Sequence, residues 1–310
     1  MSQSTTSMSI DRYSSAMRTA QARALESSED VLLVGENVGR MGGARGASVG
    51  LLERFGPKRV IDTPISDSAT VGLAAGLALA GKKVIVELTG PDRLADAWEC
   101  LRLELANLEE RTQGAFESTV VIRVPCGPGL GGGRYNEASP EGNLSTIAGL
   151  RVFSPRSGVE AGNLLVHALT LRGPSVILEA NTLTQIHDKG PSDFAAGNSV
   201  LLREGEDLTL LCTGATAPLA LRLHQICEQE GIEPEVLHLR SLRPLDTEGL
   251  KASVQKTGRC LLLSDSDALS NHLMGQITDL AFLHLESPPR GSSSTQPEAL
   301  MDLVGEILDY

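Results

Sequence analysis

Val60-Ile61-Asp62-Thr63-Pro64-Ile65-Ser66-Asp67 leads into a run of small residues from Ser68 to Gly81. The first positions read as the end of a buried strand. Pro64 turns the chain and cannot sit inside the helix that follows. Ser66 suits the start of that helix, because its hydroxyl can accept one of the first free backbone N–H groups. Ala69, Gly72, Ala74, Ala75, Gly76, Ala78 and Ala80 let another backbone or a partner helix approach closely. Asp67 therefore stands at the mouth of a packed helix. Its bland reading is a charge on the helix dipole, worth about 0.3–1 kcal/mol. The sharper reading makes it the place where chemistry happens.

On either side of this stretch, strand-like and helix-like segments alternate. Apolar runs at 30–34, 60–62, 84–87, 119–124, 150–153 and 176–179 read as strands. Helical periodicity joins Tyr13, Met17, Ala20 and Ala24 on one face. A second helix, capped by Asp92 and running to about 110, turns Leu94, Trp98, Leu101, Leu105 and Leu108 inward. A third is expected over 157–171. Buried β-branched runs between helices predict a parallel sheet covered on both faces. The periodicity fades over 185–206, which reads as a linker. A second α/β unit over 207–310 follows, with strands at 208–212, 235–239, 260–263 and near 282–285. Its helices are expected at 217–230, 247–256, 271–280 and 297–307. Residues 1–9 read as a disordered Ser/Thr-rich tail ahead of a first domain at 10–184.

Composition narrows the function. The chain has 310 residues, 41% of them apolar, which is enough for two domains with real cores. A net charge of -12 argues against nucleic acid and anionic membranes as partners. One Trp, three Tyr and five Phe leave little to stack on bases. The longest low-polarity run, Val71 to Gly81, falls far short of the roughly 20 residues needed to span a bilayer. The first ten residues lack the basic start and apolar core of a signal peptide. Five scattered cysteines with no Cys-x-x-Cys pair fit a reducing cytoplasm, with no zinc site.

Other motifs carry less. Gly127, Gly129 and Gly132 satisfy G-x-G-x-x-G after a strand, but no helix is expected to open at the third glycine. A mobile loop at a site mouth is the preferred reading, ahead of a plain surface loop or a dinucleotide cradle. The six histidines are dispersed without metal spacing; His187, in an expected loop, is the first to test. Asp265-Ser266-Asp267 could be a metal doublet, but a solvated strand end with turn-forming residues is the better reading.

With these residues in hand, the chain resembles the beta subunit of the thiamine-diphosphate-dependent decarboxylating component of 2-oxo acid dehydrogenases. Pyruvate and branched-chain enzymes belong there, with transketolase a more distant relative. The likeness covers about Ile10 to Arg259. It rests on Gly35-Glu36-Asn37-Val38, on Gly56 through Ser66, on Gly149-Leu150-Arg151-Val152-Phe153-Ser154-Pro155, and on Leu239-Arg240-Ser241-Leu242-Arg243-Pro244-Leu245-Asp246. It implies two parallel-sheet α/β domains, a transketolase-like pyrimidine-binding domain and then a transketolase C-terminal-like domain. It also implies an oxidoreductase that works as a heterotetramer of two alpha and two beta chains. In the family, a carboxylic acid after the Pro-Ile-Ser/Thr turn hydrogen-bonds a ring nitrogen of the cofactor's aminopyrimidine.

Carried over residue by residue, the resemblance puts that acid at Asp67. It places Glu36 in the carboxylate network near the cofactor, Arg93 against the aminopyrimidine, and Asn136 at the substrate. Three of these positions depart from the family. Asp67 stands for a glutamate and is shorter by about 1.5 Å. Asn136 stands for the active-site histidine and cannot act as acid or base near neutrality. Arg93 stands for an aromatic residue; it can stack on a ring but adds charge. The loop around Tyr135 has its own sequence, and the chain after Arg259 matches poorly. The family holds pyrophosphate and magnesium on a Gly-Asp-Gly segment of the alpha chain, and no Gly-Asp-Gly occurs here. The expected partners are thus an alpha-type subunit, a 2-oxo acid and, as a further option, a lipoyl acyltransferase. The alternative is a catalytically degenerate structural or regulatory subunit of such an assembly.

Overall fold

The computed structural model describes residues 3–131, 133, 137, 139–184 and 197–310, with backbone alone at 3–12 and 184. The chain divides into two compact units, one made of 1–138 with 146–194, the other of 139–145 with 195–310. In chain order the first half gives α1 (Gln3–Ser27), β1 (Val31–Glu36), α2 (Leu51–Phe55), β2 (Val60–Thr63), α3 (Asp67–Leu79) and β3 (Lys83–Glu87). There follow α4 (Leu94–Glu99), α5 (Leu108–Arg111), β4 (Thr119–Cys126), α6 (Glu141–Ser145), β5 (Arg151–Phe153), α7 (Gly158–Ala168) and β6 (Ser175–Ala180). Of these, α6 belongs to the second unit.

The first unit's strands lie in the order β5-β6-β4-β3-β1-β2, each pair parallel. Leu33, Val34, Ile85, Val86, Val121, Ile122, Val176 and Ile177 are buried in it. Both faces of the central strands are covered, so their apolar residues come in continuous runs rather than alternating. Each such side chain stabilises the fold by about 1.5–3 kcal/mol. The order reverses at β1, which has β2 on one side and β3 on the other. In sheets of this kind, ligands bind outside the carboxyl ends of the strands at that reversal. Glu36 ends β1 there, and the chain leaves β3 just beyond Glu87.

Helices α1 and α7 lie against each other. A Cβ at Gly162 would stand 3.0 Å from the Ala20 methyl and 3.3 Å from the Ala16 carbonyl. A Cβ at Gly158 would stand 3.0 Å from the Tyr13 backbone. Glycine is what allows this approach. Two expectations are corrected in this unit. The segment read as a disordered tail is helical from Gln3, because no glycine or proline interrupts the chain before Ser27. The single helix expected from Asp92 is broken into α4, a wider π-type stretch over Cys100–Leu105, and α5. Arg93 takes the cap position, with no side-chain cap bond. The inward pattern holds at Leu94, Leu101, Leu105 and Leu108, while Trp98 is half-buried. At the second break Gly149, with φ +79, lies against the Ala106 carbonyl, where a Cβ would collide.

The second unit contains β7 (Val200–Arg203), β8 (Leu208–Cys212), α8 (Ala217–Gln229), β9 (Pro234–His238), β10 (Ser241–Arg243) and α9 (Thr247–Thr257). It ends with β11 (Cys260–Leu263), α10 (Asp267–Ala281), β12 (Arg290–Ser292) and α11 (Pro297–Leu308). Its sheet runs β12-β11-β8-β9-β7, with β7 antiparallel. Strand β7 lies inside the segment read as linker, because its alternating pattern was hidden among charged neighbours. The strand expected near 282–285 is a 3-10 turn, with Phe282 70% and Leu283 89% exposed. Apolar composition there does not reflect burial, and the last strand forms at Arg290–Ser292 instead. The Ser266 hydroxyl accepts from the Leu269 N–H at 3.3 Å and caps α10, so Asp265-Ser266-Asp267 is a strand end leading into a helix.

The glycines give a stability test. Gly162→Leu should cost about 1–3 kcal/mol by overpacking α1 against α7. Gly305→Ala on α11, where a Cβ meets nothing within 4 Å, should gain up to about 1 kcal/mol from helix propensity. Urea midpoints with unchanged slopes check both.

Candidate active site

Asp67 is the first residue of α3. The Ser66 hydroxyl accepts from the Ala69 N–H at 3.3 Å, and the Thr70 hydroxyl donates to the Ser66 carbonyl at 2.8 Å. Thr63 and Thr70 share a further hydrogen bond at 3.0 Å, so the turn from β2 into α3 is closed on itself. Asp67 is 5% exposed, and its Oδ2 has no hydrogen-bond partner. Burial pushes this carboxyl up to about 6; Arg93 pulls the other way, while Asp92, Glu36 and Asp96 add to the rise. The helix dipole favours ionisation at this position, yet desolvation wins.

Glu36 and Arg93 meet here. The Arg93 Nη1 lies 3.7 Å from the Glu36 Oε2, both groups partly exposed. The loop leaving β1 is held by Asp62, whose carboxylate accepts from Gly39 N–H at 2.6 Å and Arg40 N–H at 3.1 Å. The quoted stretch therefore supplies both the loop anchor, Asp62, and the buried acid, Asp67. The structure brings Glu36, Asp67 and Arg93 together at the sheet's reversal point. Asn136, Tyr135 and His187 lie outside the described residues.

Sequence reasoning missed the ion network beneath this edge. Arg123 on β4 is fully buried and grips Glu179 with two parallel bonds, Nε to Oε1 at 2.6 Å and Nη2 to Oε2 at 2.9 Å. Its Nη1 donates to Glu87 at the end of β3 and, at 3.3 Å, to Gln21 of α1. The Tyr13 hydroxyl donates to Glu179, and the Ala44 N–H donates to Glu87. Burial pushes Glu87 upward against the pull of Arg123. The available signal was a charged residue at a buried position in each of three largely apolar strands.

Among the described residues, no group of three or more His, Cys, Asp and Glu could hold a metal ion. Nor is any described helix long and apolar enough to cross a membrane.

Residues 12–185 match the transketolase pyrimidine-binding domain, and 197–301 match the transketolase C-terminal domain. The chain is 32% identical to the 2-oxoisovalerate dehydrogenase subunit beta of Pseudomonas aeruginosa, over 92% of this chain and 87% of that one. It is 32% identical to the pyruvate dehydrogenase E1 component subunit beta of Bacillus subtilis, over 90% and 87%. The chain belongs to the 2-oxo acid dehydrogenase beta-subunit family. Among solved structures, a split-gene transketolase described as an inactive beta4 tetramer superposes with TM-score 0.77 at 19% identity, covering 96% of this chain and 98% of that one. A Campylobacter jejuni transketolase gives 0.71 at 14% identity, covering 95% and 46%. These two share the fold with this beta-type chain: two α/β units with largely parallel sheets.

The raised acid makes a stability prediction for this beta-type subunit. The folded value near 6 lies above the ordinary 3.8, so the folded state holds more protons between those values. Stability therefore falls as pH rises through that window. Asp67→Asn removes the effect. It should match the parent near pH 4 and exceed it above pH 7 by about 1–3 kcal/mol, measured by urea unfolding at both values.

Proposed function

We propose that this subunit supplies the aminopyrimidine half of a thiamine-diphosphate site shared with an alpha-type partner. The observation that carries this is the buried, unpartnered Oδ2 of Asp67, on an acid raised to about 6. Such a group can hold and share a proton with a ring nitrogen, so the residues present fit the cofactor. When bound, thiamine diphosphate supplies the electron sink for loss of carbon dioxide from a 2-oxo acid. Asp67 would hold the aminopyrimidine edge. Arg93, tied to Glu36, offers a planar guanidinium that can lie on a ring where the family has an aromatic side chain. Asn136 would donate to a substrate carbonyl without moving a proton.

The pyrophosphate and Mg2+ are assigned to the partner, since this chain has no Gly-Asp-Gly. The outward side of α3 supports such a partner. Ile65 just before it, and Leu73 and Leu79 on it, are exposed, and Cβ atoms at Gly72 and Gly76 would meet nothing. An alpha2beta2 assembly in the cytoplasm, passing its acyl group to a lipoyl acyltransferase, is the form this reading takes. A degenerate subunit that kept assembly alone is less favoured, because it gives no reason to keep a destabilising buried acid.

The test is calorimetry of thiamine diphosphate with magnesium on this chain mixed with its alpha-type partner, followed by a screen of 2-oxo acids for carbon dioxide release. Asp67→Ala should lower that release by about 100-fold or more, the range for a positioned proton-handling group. Asp67→Glu, with its longer reach, should retain or raise it. Unchanged release in Asp67→Ala would remove the role assigned to this residue.

A further inference from the structure

The glycine-rich loop after β4 has a backbone of alternating hand. Gly127, Gly129 and Gly131 have φ of +83, +90 and +81. Pro128 between the first two is held at negative φ by its ring, and Leu130 is not among the positive-φ residues. Alternating signs of φ turn successive backbone N–H groups toward one point and make an anion-binding concavity. Here the concavity already holds an anion. The Glu137 Oε1 accepts from Gly129 N–H and from Gly131 N–H, each at 3.2 Å. The Glu137 N–H closes the loop by donating to the Gly133 carbonyl at 3.1 Å.

Both contacts to Glu137 are long. Charge-assisted N–H···O⁻ bonds are usually about 2.7–2.9 Å, and both described contacts use the same Glu137 oxygen, Oε1. The side chain is an internal occupant that fills the concavity loosely, and it is half-exposed. The loop leaves the same carboxyl edge of the sheet as Glu36. Its strand, β4, is two strands from β1, about 10 Å away.

We propose that this concavity is the binding site for the carboxylate of the 2-oxo acid, and that Glu137 occupies it until the substrate displaces it. The incoming group has the same chemistry as the one it replaces, two oxygens sharing one negative charge, and it is not tethered at the loop's own spacing. Assigning the anion to the substrate rests on the function proposed above; the existence of the anion site does not. Glu137 stays tethered to the loop once displaced, so binding brings a second negative charge there; removing the Glu137 charge favours the substrate both by freeing the N–H groups and by ending that repulsion.

The experiment titrates the full chain, labelled with 15N-glycine, with pyruvate and in parallel with inorganic phosphate. In the unsubstituted chain the Gly129 and Gly131 amide signals should shift with pyruvate, ahead of other glycines. Glu137→Gln should bind pyruvate at least ten-fold tighter than the parent. Adding Gly131→Ala, which opposes the +81 φ without a steric clash, should cancel that gain. Equal affinity in the parent and Glu137→Gln would overturn the displacement. Unmoved Gly129 and Gly131 signals in the parent would overturn the site. Phosphate preferred ten-fold over pyruvate would overturn the substrate assignment. None of these outcomes depends on whether thiamine diphosphate binds the mixed subunits, so the two readings fail separately.

Discussion

A guanidinium buried between two carboxylates organises the first unit. Arg123 joins β4 to β3 through Glu87 and to β6 through Glu179, and it reaches α1 through Gln21 and Tyr13. Taking three charges out of water costs several kcal/mol per ion, and that cost is offset where geometry and hydrogen bonding are complete. Here they are. The Glu179 contact is two-pronged, Tyr13 donates to the same carboxylate, and Glu87 also takes the Ala44 N–H. Burial pushes Glu87 upward even beside Arg123, and the second acid, Glu179, adds a smaller push in the same direction.

That network lies under the carboxyl ends of β3, β4 and β6. Its strands cannot slide past one another without breaking a charged contact, so the loops above leave from set positions. One of them carries Arg93 to Glu36; another carries the alternating glycines around the Glu137 carboxylate. Asp67 comes from the far side of β1, on α3, and is surrounded by more negative than positive charge. The edge thus combines an acid that resists ionisation, an arginine already engaged, and backbone N–H groups facing an anion. Such parts would complement the proposed substrate, which carries both a carboxylate and a reactive carbonyl.

Much of this could be read from the chain. Pro64, Ser66 and Asp67 announce a helix start carrying an acid, and the structure has it there. The inward leucines from Leu94 to Leu108 follow their spacing although the helix is broken into three stretches. Where reading failed, burial was the missing quantity. Phe282 and Leu283 look like strand residues and face solvent. Val200–Arg203 looks like linker and completes a sheet edge. The Ser/Thr-rich start is a different case: it looks unstructured, and with no glycine or proline before Ser27 it extends a helix from Gln3.

Local chemistry decided the order of strands and helices, the cap on α3 and the resemblance to a family, because these depend on residues near one another in the chain. It could not show that Glu87, Arg123 and Glu179 meet. Their separations of 36 and 56 positions are closed by the parallel register alone. Nor could it show that desolvation outweighs the helix dipole at Asp67, or that Glu137 folds back onto Gly129 and Gly131. Burial and backbone φ belong to the assembled chain, and they make an acidic residue and a glycine run the candidates for a site.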